Sequence, residues 1–206
     1  VVAANALLDR PLKMRELFPM ALAGEAAASG SAHPDNVAPS LFGGMVLAAG
    51  DPADPTLVQV PVPEGVRCVL VHPHLKISTR DARGVLKDAY PLADVVAQTA
   101  HLAGFLAGCY AGDFAVIGAC LDDRLIEPQR RDLIPGFDAV KTAALSAGAL
   151  GCSISGGGPS MFAWCDSEAT GHRVGEAMVA WVLADALLEK LGGDSLEEMK
   201  RHAALS

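Results

Sequence analysis

Between Leu92 and Tyr110 the apolar positions Leu92, Val95, Val96, Leu102, Ala103, Leu106, Cys109 and Tyr110 recur on one stripe, with Thr99 at the turn between. A repeat of 3.6 residues kept for about five turns commits this stretch to an α-helix. The rest of the chain has to fold around it. Val66-Arg67-Cys68-Val69-Leu70-Val71, bounded by Gly65 and Pro73, reads as a short buried strand. Leu41 to Ala48 reads as a strand that opens on Gly43-Gly44, and Val58 to Val62 as an edge strand because Pro61 lies inside it. Met161 to Cys165 reads as a further strand. Helices are expected at Val1–Leu8, at Lys13–Ala28 with an interruption near Pro19, at 113–123, at 137–148 and from near Ser167 to about Leu191. Strands and helices alternate without regular βαβ repetition, so the fold class is α+β. The turn-rich stretch 50–65 is the expected boundary between two lobes, residues 1–60 and 61–206.

Composition bounds the partners. A 206-residue chain that is 51% hydrophobic and only 19% charged can bury a core and is not disordered. Its 24 acidic against 16 basic residues give a net charge of −8, and no basic stripe is visible. Nucleic acid is therefore not an expected partner, although backbone amides can still hold a phosphorylated ligand. No apolar run is read as a membrane span and no signal peptide opens the chain, so a soluble, cytoplasmic protein is expected. The five cysteines are odd in number and lack a CxxC pair, which fits buried thiols better than disulfides or zinc. The front lacks both an initiator Met and a helix cap, as in a piece of a longer protein.

Two loops spend polar residues and glycines where an apolar domain gains nothing from them. In the first, Glu25 precedes Ser29-Gly30-Ser31-Ala32-His33-Pro34-Asp35-Asn36, a stretch read as irregular. Asp35, Asn36 and His33 can hold a small polar ligand, with Glu25 two helical turns back; the same residues also suit a helix exit with Asx-turns. The second loop is Ser155-Gly156-Gly157-Gly158-Pro159-Ser160. Its glycines allow amides to converge on a phosphate, and equally allow a tight connection between strands that needs positive φ. No GK[ST] follows, and the loop enters a strand rather than a helix, so it is neither a Walker A loop nor a dinucleotide fingerprint. Arg83 and Arg130 offer planar forks for a carboxylate, although surface arginines are commonly just solvated. Ser78-Thr79 can cap a helix that places Arg83 one turn inside. His72 and His74 have no third ligand in sight.

Four segments, in order, resemble the homoserine kinase family of the GHMP kinase superfamily. They are Ser29 to Gly44 with its HPDN-V-A-P core, Lys76-Ile77-Ser78-Thr79 with Ala82-Arg83, Glu127-Pro128-x-Arg130 with Leu133-Ile134-Pro135-Gly136-Phe137, and Ile154-Ser155-Gly156-Gly157-Gly158-Pro159-Ser160. The resemblance implies a two-lobed fold, with part of an N-terminal α/β domain like that of ribosomal protein S5 and a ferredoxin-like C-terminal domain. It implies ATP-dependent phosphorylation of the L-homoserine hydroxyl, a step toward threonine, with ATP and Mg²⁺ as cofactors. By position, Glu25 corresponds to the magnesium-binding glutamate. His33, Asp35 and Asn36 fall in the amino-acid loop, and Arg83 and Arg130 hold the substrate carboxylate. Ser155, Gly156, Gly157, Gly158 and Ser160 support the nucleotide phosphates. The resemblance also allows a homodimer, for which no interface is legible.

Two departures bear on these expectations. The superfamily's P-x-x-x-G-L-G-S-S-A loop is absent, and Val1 resembles a position a few residues after it. Trp181 to Ser206 reads as helix, Gly192-Gly193 and a second, capped helix at 194–198, where the family has a final strand and a D-x-x-G-A-R tail. A chain of this kind is expected to be poorly active alone. A GHMP kinase for another small alcohol, or an amino-acid-binding remnant without turnover, is the alternative.

Overall fold

The structure, a computed structural model, describes residues 1–191. The chain divides into two compact units, Val1–Val62 and Pro63–Ser206.

In the first unit the opening helix shrinks to α1 (Val2–Asn5), one turn, and Leu7 is exposed. The stripe expected for Val1–Leu8 finds nothing to bury against, and one turn without tertiary support does not propagate. Asn5 instead ties off the segment, its side chain exchanging hydrogen bonds of 3.0 and 2.8 Å with the Leu12 backbone. Helix α2 (Met14–Ser29) starts where the Lys13 amide donates to Glu16 Oε2 at 2.7 Å. It carries Pro19 inside and stops at Gly30, whose φ of 81° closes the helix in the left-handed region. Contrary to the irregular reading of 29–36, α3 (Pro34–Phe42) begins inside that stretch. Pro34 sits in the first helical turn, where its missing amide costs nothing. The strand expected from Leu41 accordingly starts later, as β1 (Met45–Asp51), and pairs antiparallel with β2 (Asp54–Val60). β2 begins well before Val58 because the turn is only two residues, held by the Ala53 amide on Asp51 Oδ1 at 2.9 Å. Phe18, Leu22 and Ala38 form the core, and the Phe18 and Phe42 rings lie 5.9 Å apart.

The second unit is built on a three-stranded antiparallel sheet of β3 (Arg67–Val71), β4 (Gly151–Ile154) and β5 (Met161–Cys165), ordered β3-β5-β4. Along β5, Met161, Ala163 and Cys165 are buried while Phe162 and Trp164 alternate with them. The buried face meets α8 (Phe137–Ser146) and α9 (Glu168–Leu191) in a core that includes Ile134, Phe137, Val140, Cys152, Val174 and Met178. On the opposite face Phe105 of α5 (Leu92–Ala111) packs on Trp164, with ring centroids 5.2 Å apart. Helix α6 (Phe114–Cys120) lies against α5, starting from an Asp113 cap that accepts from the Ala115 and Val116 amides.

Four expectations change in this unit. Among the described residues β3 is an edge strand that pairs with β5 alone, and Cys68 and Leu70 are exposed rather than buried. Cys120 is likewise not fully buried, while Cys109, Cys152 and Cys165 are. Along α5 only Gly108 and Cys109 are buried; the helix is where the period put it, but most of its apolar stripe is uncovered. By length and composition α5 is also long and apolar enough to cross a membrane, which corrects the reading that no run reaches that size. The features expected at 192–206 lie outside the described residues.

Candidate functional site

The candidate residues fall in both units, and each group has its own geometry. In the first unit Glu25 is on the last turns of α2 and His33 is the residue before α3. Glu25 Oε1 lies 3.0 Å from His33 Nδ1, and both side chains are about a quarter to a third exposed. Ser29 Oγ approaches the same nitrogen at 3.2 Å, and Ser31 Oγ approaches Nε2 at 3.1 Å. The small-polar stretch thus closes around the imidazole instead of making simple Asx-turns. Asp35 and Asn36 occupy the first turn of α3, exposed, and Asn36 shares with Glu25 the lining of an open cleft of about 440 Å³. One half-buried carboxylate beside an amide oxygen suits a hard cation that keeps most of its water. Among the described residues no group of three or more His, Cys, Asp or Glu gathers as a dedicated metal cage would require.

In the second unit the glycine loop is the β4–β5 hairpin connection. Its ends are locked by the Ser155 amide on Ser160 O at 2.8 Å and the Gly158 amide on Ser155 O at 3.0 Å. Gly156 and Gly158 have φ of 59° and 84°, so the strand connection does need left-handed backbone. Gly156 and Gly157 are exposed residues, and their amides have no partner among the described residues. The fold therefore bears out the tight-turn reading of the triplet.

Two short helices hold this loop. In α4 (Thr79–Gly84), Ser78 Oγ caps the Asp81 amide at 3.1 Å and carries Arg83 into the last turn, as the cap reading expects. In α7 (Glu127–Arg130), which sequence patterning did not resolve as a helix, Arg130 extends across the loop. Its Nε donates to Ala82 O and its Nη1 to Gly156 O, each at 3.0 Å. The guanidinium is thus already engaged on two carbonyls, and only its outer edge is left for a ligand carboxylate. His72 Nδ1 meets Ser160 Oγ at 2.8 Å, which gives this histidine a loop contact instead of a metal.

Beneath α7 lies a pair the motif reading did not single out. Glu127 is buried, and its Oε1 accepts a hydrogen bond from Lys141 Nζ of α8. Beside it, burial pushes the Cys152 thiol up to about 12, opposed by the Lys141 charge and reinforced by that of Glu127.

Residues 105–182 match the family model for the C-terminal domain of GHMP kinases, and the chain belongs to that superfamily. Within the superfamily it is a relative of the homoserine kinases. It is 49% identical to homoserine kinase of Xylella fastidiosa (strain 9a5c) over 180 residues, which cover 87% of this chain and 55% of that protein. Homoserine kinase of Chlorobium phaeovibrioides is 48% identical over 185 residues, covering 89% of this chain and 57% of that one. The crystal structure of homoserine kinase from Cytophaga hutchinsonii superposes with a TM-score of 0.85 at 45% identity, covering 88% of this chain and 57% of that one. A mevalonate kinase from L. major in complex with R-mevalonate shares the fold, with a TM-score of 0.69 at 17% identity over 82% of this chain and 55% of that one. The chain spans a little over half the length of the curated relatives it matches.

Proposed function

We propose that the protein acts in phosphoryl transfer from ATP to the hydroxyl of L-homoserine. The hydroxyl oxygen forms a bond to the γ-phosphorus, the bond to the bridging oxygen breaks, ADP leaves, and the hydroxyl proton passes to solvent. Such transfer asks a protein mainly for positioning and charge neutralisation, so no side chain is assigned as a base. The observation that carries the reading is the pair of amides at exposed Gly156 and Gly157 that have no partner among the described residues, on a loop held by the Arg130 guanidinium. Amides fixed before the ligand arrives bind phosphate oxygens without an ordering cost.

In this reading Ser155, Gly156, Gly157, Gly158 and Ser160 support the phosphate region, while Arg83 and the outer edge of Arg130 take the amino-acid carboxylate. In the first unit, taken by itself, the family resemblance assigns His33, Asp35 and Asn36 to amino-acid binding. Glu25 would hold Mg²⁺, which supplies charge neutralisation at the phosphates when bound. The carboxylate-binding arginines favour an amino-acid acceptor over a sugar or isoprenoid alcohol.

The test is ADP release by the purified chain with L-homoserine, with an alcohol that lacks the carboxylate such as 3-aminopropan-1-ol, and with no acceptor, alongside calorimetric titration of L-homoserine. Homoserine-dependent ADP release supports the proposal. Preference for an alcohol without a carboxylate refutes the assigned acceptor, and homoserine binding with no ADP release in any condition favours the amino-acid-binding reading.

A further inference from the structure

The four residues of α7 make an unusual number of tertiary bonds for a single turn. Glu127 points inward to Lys141 of α8. Gln129 reaches the segment after α4, where its Oε1 accepts from the Lys87 amide at 2.8 Å and its Nε2 donates to Tyr90 Oη at 3.1 Å. Arg130 reaches both α4, at Ala82, and the glycine loop, at Gly156. Gly157 also approaches α4 closely, since a Cβ built on it would lie 3.6 Å from Ala82 Cβ. A four-residue turn has no length of its own to hold such a geometry. Something has to anchor it to the core.

The anchor is chemically conspicuous. Glu127 is 7% exposed, and its Oε2 is buried with no hydrogen-bond partner among the described residues. A carboxylate taken out of water with only one lysine and one unsatisfied oxygen is a poor source of stability; an apolar side chain of similar volume commonly does as well or better there. What the pair does provide is direction. The Lys141 bond fixes where Glu127 Cα sits on α8, and Arg130 follows three residues later on the same turn.

We propose that Glu127 is a positioning residue: through its buried pair with Lys141 it fixes the α7 turn so that Arg130 ties the glycine loop to the helix that carries Arg83. The consequence for catalysis rests on the phosphoryl-transfer reading, because only there do the loop amides and Arg83 act on bound ligands. The mechanical claim stands on the bonds alone and is tested without turnover.

The experiment is amide hydrogen exchange on the chain as it is, comparing wild type with Glu127→Gln, Lys141→Met and Arg130→Lys. All three variants should speed exchange by about tenfold or more in peptides covering 79–90 and at the bonded Ser155 and Gly158 amides within 155–158, while leaving β3 and β5 near wild-type rates. Arg130→Lys belongs in the set because a lysine cannot span two carbonyls with one rigid fork. Where turnover is measurable, Glu127→Gln should raise KM for the amino-acid acceptor with a smaller change in kcat; a fold defect lowers the active fraction and leaves KM alone. Wild-type exchange at 155–158 in Glu127→Gln and Lys141→Met overturns the proposal. So does equal acceleration across the whole sheet, or failure of both variants to fold, since either assigns the pair to stability. A wild-type chain that releases no ADP counts against the kinase reading and leaves the exchange comparison intact.

Discussion

Replacing the glycines of the hairpin one at a time separates the roles the loop combines. At Gly158 a Cβ would stand 3.2 Å from Ile134 Cδ1, 3.3 Å from Ile154 Cγ2 and 3.5 Å from Ile77 Cδ1, on a backbone whose φ is 84°. An L side chain in the left-handed region costs about 1–2 kcal/mol. Pressing a methyl onto packed side chains costs about 1–3 kcal/mol more. The neighbours are the flexible ends of isoleucines that must give by a few tenths of an ångström, so Gly158→Ala should lose about 2–4 kcal/mol. Gly156→Ala keeps the strain, at φ 59°, but meets nothing within 4 Å, so about 1 kcal/mol is expected. Gly157→Ala meets only Ala82 Cβ at ordinary contact distance and has no left-handed φ; its stability should stay within about 0.5 kcal/mol of wild type. Urea unfolding followed by far-ultraviolet dichroism reads all three, provided the m-values agree. The order of loss is Gly158, Gly156, Gly157. A Gly158→Ala midpoint equal to that of Gly157→Ala would refute the argument that the loop is seated on the three isoleucines.

Further outcomes follow from the same geometry. Cys152 has its pKa raised to about 12 in the folded chain against an ordinary value near 9. The unfolded thiol therefore ionises first, and stability present below pH 9 is lost as pH rises toward 12. The slope from this group approaches about 1.4 kcal/mol per pH unit; alkaline denaturation of Cys152→Ala should be flatter, and an unchanged slope rejects the assignment. Arg83→Ala should raise KM for L-homoserine by about 10- to 100-fold, the loss expected for one charge-assisted contact of about 1.5–3 kcal/mol, with KM for ATP changed far less; steady-state kinetics decide. Leu22→Ala empties a site that is 5% exposed in the core of the first unit. It should cost about 2–4 kcal/mol in thermal or urea unfolding, and a loss below 1 kcal/mol contradicts the packing described.

Patterns confined to one or two turns of chain were legible without the fold. The 3.6-residue stripe placed α5 nearly to its ends, the apolar run after the glycine loop placed β5, and Ser78 announced the start of α4. In each case the determining neighbours are within four residues, where backbone geometry alone decides which side chains share a face. The same locality explains the misreadings. His33-Pro34-Asp35-Asn36 looks irregular because proline and Asx residues are turn formers, yet in this order they also start a helix, and packing of α3 on α2 and β1 selects the latter. The residues of the candidate site were readable as motifs, but their bonds were not.

Whether an apolar stripe is covered depends on what the rest of the chain brings to it, so the exposure of α5 and of Leu70 on the edge strand could not be read from their own residues. Arg130 looked like a solvated arginine with a fork to offer; only the fold brings Ala82, 48 residues away, and Gly156, 26 residues away, within its reach. Glu127 and Lys141 are 14 residues apart on separate helices, and no periodicity connects them. The sequence by itself determined the longer periodic helices and β5, and supplied the glycines and charged groups. Tertiary structure decided which of those groups are buried, and which meet, because burial and long-range pairing are properties of the assembled surfaces and not of neighbouring residues in the chain.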